Sequence, residues 1–153
     1  MNTLWRISNY IDLGGWGGKK FSSRWTSLGR RVVYFAESPT AALVETLVHL
    51  EVESEDTPDF YTLLKIVVPG ELAIQLLDPP AGREWKQDLK MTRGMGDAWL
   101  ASLETPLARV PSTIAPQTWN YLLNPLHPDA KQVEVAEVIR EQFDNRLFRF
   151  GAR

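Results

Sequence analysis

Proline and glycine punctuate this chain too densely for any long helix: ten of each are spread through 153 residues. Each proline removes a backbone donor and each glycine adds backbone freedom, so the elements between them stay short. That argues against a helical bundle and predicts an α+β fold. The segment Asp12-Leu-Gly-Gly-Trp-Gly-Gly18 is the extreme case and reads as a loop. Neither an internal repeat nor a low-complexity linker interrupts the chain, so residues 1–153 are expected to form one domain.

Between these breaks the pattern supplies candidate elements. Leu4–Ile7 reads as a first short strand. Arg31–Ala36 reads as another, with Val32, Tyr34 and Ala36 on one face and Val33 and Phe35 on the other. Ser38-Pro39 then opens a helix, serine capping and proline at the first helical position. On that helix Leu43, Val44, Leu47, Val48 and Leu50 form one apolar arc. Glu45 lies about 60° beyond its edge, beside the small residues Ala41 and Ala42. Tyr61–Val68 and Leu72–Leu77 read as a hairpin across Pro69-Gly70. Asp97–Leu103 fits a helix capped by Asp97, and Ala108–Val110 fits a strand running into Pro111-Ser112. The region from Val133 to Gln142 suits a strand or a helix, and periodicity does not arbitrate.

Composition narrows the chemistry. With no cysteine there is no disulfide, thiolate nucleophile or Cys-based zinc site, and two histidines are too few for a His-rich metal centre, so no metal is expected. A formal charge of −2 without a basic block argues against direct nucleic-acid binding. No apolar run approaches the roughly 18–20 residues that span a bilayer. Met1–Tyr10 lacks the order of a signal peptide, so a cytoplasmic protein away from membranes is the expectation. Six tryptophans are many for this length. In a small domain they are more often core or interface anchors than ligand-stacking rings.

Four places hold polar residues that packing alone does not explain. Arg24, in Phe21-Ser-Ser-Arg-Trp25, follows the glycine segment; its guanidinium suits a phosphate, although spacing alone favours an ordinary surface arginine. Tyr34 is either a half-buried strand tyrosine or a ligand-lining ring. Glu45 is either a solvated helix carboxylate or one that looks into a cavity. Val110-Pro-Ser112, with Asn120-Tyr-Leu-Leu-Asn-Pro-Leu-His-Pro128, is either a structured loop or part of a site.

Together these blocks resemble the RES family, named for its conserved Arg, Glu and Ser. The resemblance runs over nearly the whole chain. It takes in Leu4-Trp5-Arg6-Ile7, Ser23-Arg24-Trp25 with Gly29 and Val33-Tyr34, Ala41-Ala42-Leu43-Val44-Glu45, Val110-Pro111-Ser112 and Asn124-Pro-Leu-His-Pro-Asp129. One departure is Lys20-Phe21-Ser22, where the family is often glycine-rich. The resemblance implies an ADP-ribosyltransferase-like fold, with two small mixed or antiparallel sheets and flanking helices around an NAD cleft.

It further implies a toxin of a bacterial type II toxin–antitoxin pair that cleaves the nicotinamide–ribose bond of NAD. NAD is then a substrate, not a prosthetic group, and the cleavage is by hydrolysis or phosphorolysis. Transfer of ADP-ribose to a host protein is the alternative, and a non-catalytic nucleotide-binding module the alternative from another class. The implied partner is an Xre-type helix-turn-helix antitoxin, with a toxin homodimer inside the complex. Glu45, Arg24 and Tyr34 are the catalytic candidates. Arg24, Tyr34, Ser112, Arg6 and Asn124 are the substrate-binding candidates, and His127 reads as structural.

Overall fold

The computed structural model describes residues 2–50 and 58–151, so the expected domain bounds of 1–153 reach beyond the described residues. The chain runs β1 (Asn2–Ile7), α1 (Trp16–Lys20), β2 (Val33–Ala36), α2 (Pro39–His49), β3 (Phe60–Val68) and β4 (Ile74–Leu76). It continues through α3 (Leu89–Ser102), β5 (Leu107–Pro111), β6 (Trp119–Leu123) and β7 (Glu134–Gln142). Short 3-10 turns occupy Glu84–Lys86, Pro128–Gln132 and Asn145–Gly151. The α+β expectation is met.

Among the described residues, seven strands join one sheet in the order β4-β5-β6-β2-β1-β3-β7. Every pairing is antiparallel except β4 with β5. This corrects the expected pair of small sheets. The two ladders are fused because Trp5 of β1 meets Ala36 of β2, the register pair that marks their junction. On either side of it the ladders are longer: β1 runs against β3 from Asn2↔Val68 to Ile7↔Leu63, and β2 against β6 from Val33↔Leu123 to Ala36↔Asn120.

The central strands are apolar on both faces because both are covered. Val33, Phe35, Leu107 and Leu123 belong to one buried cluster, with Leu4, Leu64, Ile66 and Val68. Their chain neighbours Val32, Ala108 and Leu122 belong to a second, with Trp25, Trp85, Trp99 and Leu100. The alternation expected for β2 is therefore realised, each face feeding its own core. Three of the tryptophans, Trp25, Trp85 and Trp99, are buried anchors.

Several expected elements are corrected. Within the glycine segment Trp16 starts the five-residue α1, entered through Gly15 at φ 72, a left-handed conformation that suits glycine. The Pro69-Gly70 turn does not make a hairpin. β3 is flanked by β1 and β7, and the chain crosses to the far edge, where Ile74 of β4 pairs in parallel with Leu107 of β5. A turn signal is local and does not name a strand's partner. Helix α3 starts at Leu89 with Asp88 as its cap, accepting from the Met91 N–H at 3.1 Å, so Asp97 lies mid-helix. Gly94 and Gly96 weaken the helical pattern there, which hides the first turns. The ambiguous C-terminal region is strand β7.

Helix α2 begins as expected, Ser38 Oγ accepting from the Ala41 N–H at 3.0 Å with Pro39 in the first turn. Its buried residue is Ala42, while Val44 and Val48 of the expected apolar arc stay exposed. The small side chain seats the helix on the sheet and turns Glu45 inward instead.

α3 braces the segment after α1 from behind. Thr92 Oγ1 donates to the Arg24 carbonyl at 2.6 Å, Arg93 Nε to the Ser23 carbonyl at 2.7 Å, and Asp97 Oδ1 accepts from the Ser27 N–H at 3.0 Å. Gly96 allows this approach, because a Cβ there would run into the Trp25 carbonyl. Gly96→Ala is therefore expected to lower the unfolding free energy by about 2–3 kcal/mol in a denaturant titration, although alanine is the better helix former. An unchanged midpoint would mean that α3 does not hold this segment.

Candidate active site

A cavity of about 670 Å³ opens where β1 and β2 part. Trp5, Arg6 and Ile7 line one side of the junction and Tyr34, Phe35 and Ala36 the other. Helix α2 contributes Glu45, and the segment following α1 contributes Arg24. Four of the six candidates from the sequence thus face one space: Arg6, Arg24, Tyr34 and Glu45.

Glu45 is the anchored carboxylate of the site, its side chain 27% exposed. Its Oε1 accepts from Asn120 Nδ2 at 2.9 Å and from Ser112 Oγ at 3.2 Å. Oε2 lies 3.9 Å from His49 Nε2, one helical turn on. Ser112 is buried and enters the site through this bond to Glu45. Just beyond β5, its Oγ also accepts from the N–H groups of Ile114 at 3.1 Å and Ala115 at 3.4 Å.

The Tyr34 hydroxyl bonds to Ser23 Oγ and, at 3.0 Å, to Thr26 Oγ1, while Ser23 and Thr26 bond each other at 2.7 Å. Burial pushes the phenol above its ordinary pKa; the bonds to Ser23 and Thr26 offset part of this, and the nearby Asp97 charge adds to it. The phenol is therefore neutral at ordinary pH. The Arg24 guanidinium donates to the Lys86 carbonyl. Arg6 donates to the Asp12 carbonyl at 3.1 Å. Burial lowers the Arg6 pKa and the Asp12 charge counters it, but a guanidinium remains charged.

One candidate sits elsewhere. Asn124 is buried, donating from Nδ2 to the Leu100 carbonyl at 3.1 Å and accepting at Oδ1 from the Leu126 N–H at 3.1 Å. It holds the turn after β6 and does not line the cavity. His127 caps the Pro128–Gln132 turn, Nδ1 accepting from the Asp129 N–H at 3.0 Å, as its structural reading expected. Among the described residues no three His, Asp or Glu side chains gather as a metal would need. No described helix is long and apolar enough to cross a membrane.

The RES domain matches residues 3–145. The chain belongs to the RES domain family. A toxin of Pseudomonas putida named Toxin Res is 44% identical over 147 residues, covering 95% of this chain and 99% of that protein. A Sphingobium protein named Prs ADP-ribosylating toxin is 33% identical over 163 residues, covering 96% and 97%. The M. tuberculosis MbcT–MbcA toxin–antitoxin complex contains a chain that superposes with a TM-score of 0.72 at 20% identity, covering 97% of this chain and 87% of that one. The resemblance carried by the five sequence blocks is thereby borne out.

Sequence reasoning missed Asn120 as a partner of this RES chain's acidic residue. The signal was present in the Asn120-to-Pro128 block, but its Asn-Pro and His-Pro dipeptides dominate it and read as turns. Asn120 instead belongs to β6, paired with Ala36 of β2 and Val110 of β5.

The tyrosine makes a testable contribution to stability. Its proton is held more tightly in the folded than in the unfolded chain, where the phenol titrates near pH 10. Its contribution is fully present below that pH and is lost as pH rises through the higher folded value. Denaturant midpoints should therefore fall above about pH 10, and Tyr34→Phe should flatten the fall. A remainder is expected from Tyr61, whose pKa is also raised, by desolvation and then by Glu141. Identical alkaline profiles for wild type and variant would refute this account of Tyr34.

Proposed function

We propose that this RES-family protein is the toxin of a toxin–antitoxin pair and breaks the nicotinamide–ribose bond of NAD in the cleft between β1 and β2. The observation that carries this reading is Glu45, a carboxylate anchored by Ser112 and Asn120 in a cavity shared with two arginines and a neutral tyrosine.

The chemistry asks little more. As the bond to nicotinamide breaks, its electron pair leaves with the ring, which departs neutral, and the ribose carbon becomes oxocarbenium-like, as in glycoside cleavage. The leaving group starts as a cationic pyridinium, so no general acid has to protonate it. One carboxylate beside the sugar stabilises the developing charge or holds a ribose hydroxyl. That is the role proposed for Glu45, worth roughly 3–4 kcal/mol. Arg24 grips the pyrophosphate, with Arg6 as a second cation on the wall. Tyr34 lines the slot for the nicotinamide ring, and Ser112 acts near the same end through its bond to Glu45. Water or phosphate then adds to the cation and gives up a proton.

A second reading is favoured by the Sphingobium relative, named for ADP-ribosylating activity. A protein side chain would then meet the same cation. The partner in either reading is an antitoxin of the Xre helix-turn-helix type, bound to a toxin homodimer. The fold neighbour was itself solved as a toxin–antitoxin complex. An enzyme that consumes NAD needs such an inhibitor in its own cell.

Purified protein incubated with NAD should release free nicotinamide, and Glu45→Gln should slow release by roughly 10²–10³-fold with an unchanged thermal midpoint. An unaltered rate in the variant would remove Glu45 from the mechanism. Calorimetric binding of NAD without product would favour the non-catalytic module. Mass spectrometry of the ribose-containing product, with and without phosphate and with candidate acceptor proteins, assigns the acceptor.

A further inference from the structure

Glu45 presents its two oxygens unequally. Asn120 Nδ2 and Ser112 Oγ both converge on Oε1. Among the described residues, Oε2 receives neither and carries the long approach of His49 Nε2 at 3.9 Å. The direction of each bond follows from chemistry. A carboxylate only accepts, so the Asn120 amide must turn its Nδ2 toward it. The Ser112 oxygen is already occupied as an acceptor by the Ile114 and Ala115 N–H groups, which leaves its single proton to point at Glu45.

The two donors also come from rigid places. Asn120 stands on β6, hydrogen-bonded between β2 and β5 in the interior of the sheet, and Ser112 is buried just past β5, its own N–H bonded to the Thr118 carbonyl at 2.8 Å. Glu45 is on α2, a different layer. Without these bonds its side chain has rotamer freedom at three torsions.

We propose that Asn120 is a positioning residue: by gripping Oε1 from the sheet it fixes the Glu45 carboxylate and assigns Oε2 as the oxygen that meets the sugar. This rests on the NAD reading above. Asn120 acts through Glu45 and takes no part in the bond change itself. Ser112 completes the clamp, but a serine with one donor and a longer bond does not set the carboxylate plane alone. A displacement near 1 Å at a reacting group is enough to cost on the order of 10²-fold in rate.

The test is steady-state nicotinamide release by Asn120→Ala and Asn120→Asp, with KM for NAD and thermal midpoints measured in parallel. Asn120→Ala should lose roughly 10- to 100-fold in kcat with KM unchanged. Asn120→Asp, nearly isosteric, sets a second carboxylate against Oε1. Its deficit should be largest at neutral pH and shrink as the solution is acidified and a proton bridges the two groups, a profile that a merely structural asparagine would not give. It also carries the test should the alanine variant fail to fold. A kcat within twofold of wild type in either folded variant would overturn the proposal, as would a loss confined to KM.

A wild type that releases no nicotinamide would sink the NAD reading instead. The clamp is then judged on thermal midpoints of Asn120→Ala, Glu45→Ala, which removes the accepting oxygen, and the double variant. A combined shift smaller than the sum of the single shifts supports the clamp, and strict additivity overturns it.

Discussion

The contact between Trp5 and Ala36 is the constraint on which the rest of the molecule turns. It makes one sheet out of two ladders that otherwise have separate partners, β1 with β3 and β2 with β6. A sheet continuous through its middle would be covered by packed side chains throughout. Here the strands part beside that contact, and the space they leave is lined from both ladders by Trp5, Arg6, Tyr34 and Phe35. The cavity is a product of topology first and of side-chain choice second.

Helices α2 and α3 are tied down by different means. Helix α2 lies close because Ala42 is small and buried, and this brings Glu45 to the cavity wall instead of leaving it in solvent. Helix α3 contributes none of the cavity lining, yet Thr92, Arg93 and Asp97 hold the backbone of Ser23, Arg24 and Ser27 from behind. The Trp25 and Trp85 rings, 5.8 Å apart, add an apolar weld to these polar bonds. Polar attachments fix direction where apolar packing fixes only distance, which is why the arginine-bearing segment needs both.

How far the sequence could be read depended on the range of the cause. Cap chemistry and alternation act over a few residues, so Ser38-Pro39 and the two faces of β2 were legible. Sheet order is not local. Nothing within Leu72–Leu77 says that its strand leaves β3 for the parallel edge beside β5. Gly96 within α3 serves a tertiary purpose, the approach of the Trp25 carbonyl, and so weakens the local helical pattern that would have revealed the helix. The candidate site was legible mainly as a family pattern. Arg6, Arg24, Tyr34 and Glu45 line one cavity, whereas Asn124 works in the turn after β6. Asn120 was hidden because an asparagine near prolines looks like a turn residue until the strand it sits on is known.

The strand order also has a temporal consequence. Tyr34 and Glu45 belong to the first third of the chain, but β2 gains its second neighbour only when Trp119–Leu123 slots between it and β5. Pairings across such separation form late and slowly, since loop closure must precede any stabilising contact. A chain emerging from the ribosome therefore carries its acidic side chain well before the groups that hold it still. Ordering of the candidate site is thus deferred toward the end of synthesis, after most of the chain that surrounds it has been made.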